Sequence, residues 1–141
     1  MSFADMVRRQ VAQERRSRFE RSDQLSLGEL IAQLEKQDPG HSIQFDFCRA
    51  IPTTLASWRG AYDELALGFD MDGKDPSVGE LLEHLRTAVG RTYTGWKGGD
   101  FVMSLETPVW VANPGDGCNT AIIGVEGIDY QVVIQTAYMG F

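Results

Sequence analysis

A chain of 141 residues that is 43% hydrophobic and 23% charged can bury one hydrophobic core and has the composition of a folded domain. Its formal net charge of −7 excludes a broad basic surface for duplex nucleic acid. The sequence has no apolar run of about 18 residues and no secretory leader, so we expect a cytoplasmic protein that does not enter a membrane and whose cysteines, Cys48 and Cys118, are free thiols.

Residues 1–24 form a predicted N-terminal helical arm whose charge is opposite to that of the rest of the chain. The arm has six Arg and four acidic residues, a balance of +2, and residues 25–141 have a balance of −9. Its apolar stripe at helical spacing consists of Phe3, Met6, Val7 and Val11. We expect the arm to lie across the acidic body of a second copy and so form a homo-oligomer. The alternative is a frayed, solvated terminal helix.

Two capping boxes predict two helices in the domain that follows. Residues 26–34 read SLGELIAQL and residues 77–85 read SVGELLEHL, and in each the serine stands three places before a glutamate. The apolar positions then recur with the spacing of a helix that packs on a sheet. These predicted core residues are Leu27, Leu30, Ile31, Leu34, Val78, Leu81, Leu82 and Leu85.

Strand patterns follow each predicted helix. The first is followed by SIQFDF and ELALGFDM, and the second by VWVAN, TAIIGVEG and YQVVIQTAY. We therefore predict an α+β fold for a single domain of residues 25–141, with a mainly antiparallel sheet and both capped amphipathic helices on one face. The repeated order suggests a duplicated α-β-β unit, residues 26–71 and 77–137. Chance similarity of two amphipathic helices is the alternative.

The segment 48–68 is predicted to contain a long functional connection between two strands. It places Trp58, Arg59 and Tyr62 within five residues. Aromatic faces can stack a planar ring while a guanidinium pairs with a phosphate, so these residues are candidates for ligand binding. The alternative is that Trp58 and Tyr62 cap the core and that Arg59 pairs with a neighbouring acid.

The segment 92–101, TYTGWKGGDF, has similar chemistry. Its candidate ligand-binding residues are Tyr93, Trp96, Lys97, Gly98 and Gly99. Glycine-rich backbone beside a lysine can hold an anion, although the spacing of a nucleotide-hydrolysing loop is missing. A hairpin turn with a surface lysine is the alternative.

The sequence predicts no metal site, cofactor or catalytic group. Asp70, Asp72 and Asp75 lack the spacing of a calcium loop. His41 and His84 have no carboxylate or nucleophile at a characteristic spacing, so both are interpreted as surface histidines.

Three stretches, SWRGAYDELALG, TYTGWKGGD and TPVWVAN, together resemble a group of uncharacterised small proteins encoded by bacteriophages and prophages. The resemblance covers roughly residues 25–137 and assigns no catalytic residue. It implies an acidic phage protein that acts inside a bacterial host, where such proteins often counter host defence.

Two functional hypotheses follow, and an enzyme is the less favoured third. In the first, the two loops meet and sequester a phosphorylated nucleotide-like ligand such as a host defence signal. In the second, the acidic body resembles nucleic acid and blocks a host nuclease or defence effector.

Overall fold

The computed structural model describes residues 23–47, 51–58, 61–70, 76–95, 97–112 and 120–138. Its helices are α1 (Leu27–Glu35) and α2 (Val78–Ala88). Its strands are β1 (Ser42–Phe45), β2 (Ile51–Trp58), β3 (Ala61–Asp70), β4 (Thr92–Thr94), β5 (Asp100–Val102), β6 (Val109–Ala112), β7 (Thr120–Ile128) and β8 (Gln131–Tyr138).

Both helices begin where the capping serines predict. The Ser26 hydroxyl accepts a hydrogen bond from the Glu29 amide at 3.1 Å, and the Ser77 hydroxyl accepts one from the Glu80 amide at the same distance. The two helices pack against each other. All eight apolar residues of the predicted stripes are buried, because they face the inner side of the main sheet.

Six strands form the main sheet in the order β1-β8-β7-β6-β3-β2, and β4 and β5 form a separate hairpin. The pairs β1–β8 and β3–β6 are parallel, and the other neighbours are antiparallel. The two edge strands, β1 and β2, approach each other with Cα atoms within 8 Å. The sheet is therefore strongly curled around the core.

The fold has two halves, which follow the predicted units 26–71 and 77–137 with the residue before each, and these halves make equivalent contacts with each other. The start of α1 and the chain before it bond to the region leading into β6 through Leu27 N–H to the Thr107 carbonyl (2.7 Å), Gly28 N–H to the Leu105 carbonyl (2.8 Å) and Val109 N–H to the Leu25 carbonyl (3.2 Å). The corresponding bonds between the start of α2 and the region leading into β1 are Val78 N–H to the His41 carbonyl (2.9 Å), Gly79 N–H to the Pro39 carbonyl (3.0 Å) and Ile43 N–H to the Pro76 carbonyl (3.0 Å). Each helix is thus fixed to a main-sheet strand of the other half, α1 to β6 and α2 to β1.

The two parallel strand pairs, β1–β8 and β3–β6, are also equivalent on their inner faces. Ile43 pairs with Val132 in β1–β8, and Val109 pairs with Leu65 in β3–β6. All four side chains are fully buried. The main core therefore lies between two equivalent sets of strands and the two helices.

The predicted α+β class is wrong. Strand residues outnumber helical residues more than twofold in the described ranges, and the main sheet is mixed rather than mainly antiparallel. The predicted α-β-β order also omitted β2, because residues 51–58 were interpreted as part of a long connection. The described part of the chain has two helices, and the predicted arm helix is not one of them, since residues 1–22 lie outside the described ranges.

Candidate functional site

The first group of predicted ligand residues lies at the β2–β3 hairpin. Trp58 ends β2 and Tyr62 is the second residue of β3, whereas Arg59 lies outside the described residues, as does the side chain of Tyr62. The long connection predicted here is instead two paired strands, with Trp58 opposite Ala61.

Trp58 is a packing residue in the structure. Its indole stacks on that of Trp110 with ring centroids 3.7 Å apart and planes 5° apart. Trp58 is 6% exposed and Trp110 is fully buried, in a small apolar cluster separate from the main core. The Trp110 Nε1–H donates to the Glu64 Oε1 at 2.9 Å. The indole predicted to stack on a ligand therefore stacks on another tryptophan.

The second group lies on the β4–β5 hairpin. Tyr93 is in β4, is 9% exposed, and has its ring 5.2 Å from the guanidinium carbon of Arg91. No described residue accepts or donates a hydrogen bond at its buried hydroxyl. Burial raises the pKa of Tyr93, and the positive charge of Arg91 opposes that rise.

The glycines of this segment form a hairpin turn. Gly98 and Gly99 have φ angles of 95° and 86°, which favour glycine, and the Gly98 amide donates to the Gly95 carbonyl at 2.9 Å. Lys97 is exposed, and Trp96 lies outside the described residues. The hairpin packs near β2 and β3, so the elements that carry the two predicted loops are neighbours. Whether Arg59 and Trp96 meet stays a prediction.

An open cleft of about 520 Å³ lies between the start of β2 and α2, and no described residue predicted to bind the ligand lines it. It is lined by Pro52, Thr53, Pro76, Glu80, Leu81, Glu83, His84 and Thr87. It lies beside the shift in register between Pro52 and Thr54 of β2 and beside the capped start of α2.

Among the described residues that line the cleft, the charged groups are the carboxylates of Glu80 and Glu83. Glu80 and Glu83 are exposed residues on neighbouring positions of one helix face. Neither carboxylate has a hydrogen bond or an ion pair with another described residue. His84 is exposed at its predicted surface position, and the nearby Arg86 pairs instead with Glu35 at 3.6 Å. The site therefore suits a positively charged group better than a phosphate.

Sequence reasoning missed this cleft. It assigned Glu80 to a capping box and His84 to the solvent, and it gave no role to Pro52 or Pro76. One signal in the sequence could have indicated it. When Ser26 and Ser77 are aligned, Pro76 corresponds to Leu25.

The described ranges contain no group of three or more His, Cys, Asp or Glu side chains that could hold a metal ion. Asp72 and Asp75, from the weak calcium pattern, lie outside those ranges. None of the helices described is long and apolar enough to span a membrane. No family model, curated protein or solved structure matches the chain.

Proposed function

We propose that this protein is a non-enzymatic binding module that engages a basic partner protein through its acidic surface. The observation that carries the proposal is the cleft between β2 and α2, whose two carboxylates have no cationic partner among the described residues. Unpaired carboxylates beside an apolar lining attract a cationic side chain and orient an approaching basic surface.

The charge of the surrounding surface supports the same choice. The full chain has 13 Lys and Arg against 20 Asp and Glu, a formal net charge of −7. The net charge repels a phosphorylated ligand and attracts a basic protein.

Nucleotide sequestration, the other hypothesis, has less support. Trp58 and Tyr93 are buried, so neither presents an open ring face on which a base could stack. That hypothesis now depends on Arg59 and Trp96, outside the described residues, and on the exposed Lys97.

The resemblance to phage-encoded proteins suggests where such a module would act. In the cytoplasm of a bacterial host, the basic partner would be a nuclease or another defence effector whose nucleic-acid groove the acidic protein occupies. The interaction requires binding without turnover, and a homo-oligomer formed through residues 1–24 remains part of the proposal.

The test is a binding panel measured by calorimetry on the full chain. It contains an arginine-rich peptide, an acidic peptide of the same length, mononucleotides and cyclic dinucleotides. We expect binding of the arginine-rich peptide alone, with an affinity that falls as salt is raised from about 0.05 to 0.5 M, because salt screens exposed charges. Binding of a nucleotide without binding of the basic peptide would overturn the proposal in favour of sequestration.

A further inference from the structure

The equivalence of the two halves identifies one backbone hydrogen bond that has no counterpart. In the first half, the Leu25 amide donates to the Ile122 carbonyl at 2.9 Å and ties the entry of α1 to β7. Leu25 precedes the capping serine of α1, as Pro76 precedes that of α2. Ile122 precedes the bulge of β7, as Pro52 precedes the bulge of β2.

The second half cannot form the corresponding bond. Pro76 occupies the position of Leu25, and proline has no N–H to donate. Pro52 occupies the position of Ile122 and keeps its carbonyl. The cleft opens at these two prolines, both of which line it. One half of the fold therefore joins helix entry to strand, and the other half has a proline in place of the donor where the cleft opens.

The caps of the two helices also differ, and α2 again makes one hydrogen bond fewer than α1. In α1 the Glu29 carboxylate reaches back to accept from the Ser26 amide at 3.0 Å and so completes a capping box. In α2 the serine caps the helix, but the Glu80 carboxylate makes no such bond and lines the cleft. Glu80 is thereby left available for a charge from outside the domain.

We propose that this cleft, termed the proline cleft and comprising Pro52, Thr53, Pro76 and the cleft-lining residues of α2, binds an extended basic segment of the partner protein. A backbone N–H of that segment donates to the Pro52 carbonyl, in place of the bond that Leu25 makes to Ile122. A Lys or Arg side chain of the segment pairs with Glu80 and Glu83. This inference rests on the proposed function and assigns it a site and a mode of recognition.

The first experiment separates charge recognition from general acidity. A short arginine-containing peptide is titrated into the full chain and into the variants Glu80→Gln/Glu83→Gln and Glu106→Gln. Glu106 is exposed and does not line the proline cleft, so it is the matched control. We expect the double variant to bind at least tenfold more weakly and Glu106→Gln to bind within twofold of the parent. Equal binding by the double variant and the parent would overturn the assignment.

The second experiment tests the backbone acceptor. Pro76→Leu restores the N–H present at Leu25, which can close the cleft onto Pro52. We expect this variant to bind the peptide at least fivefold more weakly and to melt no lower than the parent. A peptide of the same sequence with N-methylated amides should also lose at least fivefold in affinity. Retained affinity for that peptide in the unsubstituted protein would refute the proposed backbone bond, whatever the fold of the variant.

The two proposals fail in distinguishable ways. If no basic peptide binds the parent protein, the proposed function fails. If the peptide binds equally well to the parent, to the double variant and to Pro76→Leu, the protein is a basic-partner module whose site lies elsewhere, and the proline cleft is not that site.

Discussion

Replacing Trp58 by Ala should destabilise the protein severely, because this side chain packs in a buried indole pair. An almost fully buried aromatic side chain removes roughly 150 to 250 Å² from water. At about 25 cal/mol per Å² this burial contributes roughly 4 to 6 kcal/mol, an upper value because the unfolded chain already shields part of the surface. Allowing for this and for the cavity left behind, we expect a loss of about 3 to 5 kcal/mol.

The assay is urea unfolding followed by far-UV circular dichroism, with Val102→Ala as the control. Val102 is 63% exposed, so its truncation should change the unfolding free energy by less than about 0.5 kcal/mol. Trp58→Phe should fall between the two, since a smaller ring still covers part of Trp110. A loss below about 1 kcal/mol for Trp58→Ala would refute the packing role and return Trp58 to the candidates for ligand binding.

Three further outcomes are expected. Leu34→Ala and Leu85→Ala should each lower the unfolding free energy by about 2 to 5 kcal/mol in urea titrations, because both side chains are fully buried, and losses below about 1 kcal/mol would remove them from the core. Tyr93→Phe should not destabilise the protein near pH 7, and it should reduce the stability lost above about pH 10, where the raised pKa of Tyr93 leaves the phenol neutral in the folded protein but ionised in the unfolded chain; an unchanged alkaline profile would contradict this. Glu29→Ala should cost about 0.5 to 1.5 kcal/mol more in thermal or urea unfolding than Glu80→Ala, since Glu29 alone bonds the amide of its capping serine, and equal costs would contradict the difference between the caps.

The helices could be predicted because their signals are local. Ser26 and Glu29, or Ser77 and Glu80, stand within one turn, and the buried leucines repeat at helical spacing. The mixed sheet could not be predicted in this way. Its parallel pairs join residues as distant as Ile43 and Val132, and an alternating strand does not specify its partner or direction.

Strand β2 was missed for a related reason. Its sequence, IPTTLASW, has a proline second and several small or polar residues, which is typical of a loop as well as of a strand at the edge of a sheet. The structure places it at that edge, with a bulge directly after Pro52. Proline is tolerated there because an edge strand need not donate on both sides.

The candidate site shows what composition within one loop can and cannot indicate. Trp58, with a glycine and an arginine beside it, has the chemistry of a ligand site, but its partner Trp110 is remote in sequence and only the fold brings the rings together. A hairpin turn with a surface lysine was one of the two interpretations of segment 92–101, and the structure has that turn at Gly98 and Gly99 beside the exposed Lys97. Such a turn depends on neighbouring residues only. Whether they bind an anion stays a prediction.

The proline cleft is compatible with a stable fold because the one hydrogen bond that is missing there contributes little to the free energy of unfolding. The bond that Leu25 makes and Pro76 cannot make contributes about 0.5 to 1.5 kcal/mol, against about 5 to 15 kcal/mol for a typical domain. The other three bonds at the entry of α2 are retained, and its apolar stripe stays buried. The second half can therefore lack this bond, and keep Glu80 and Glu83 without a described ionic partner, while α2 stays packed in the core. The site is consequently proposed at Pro52 and Pro76, where the two halves differ, and not in the packing that they share.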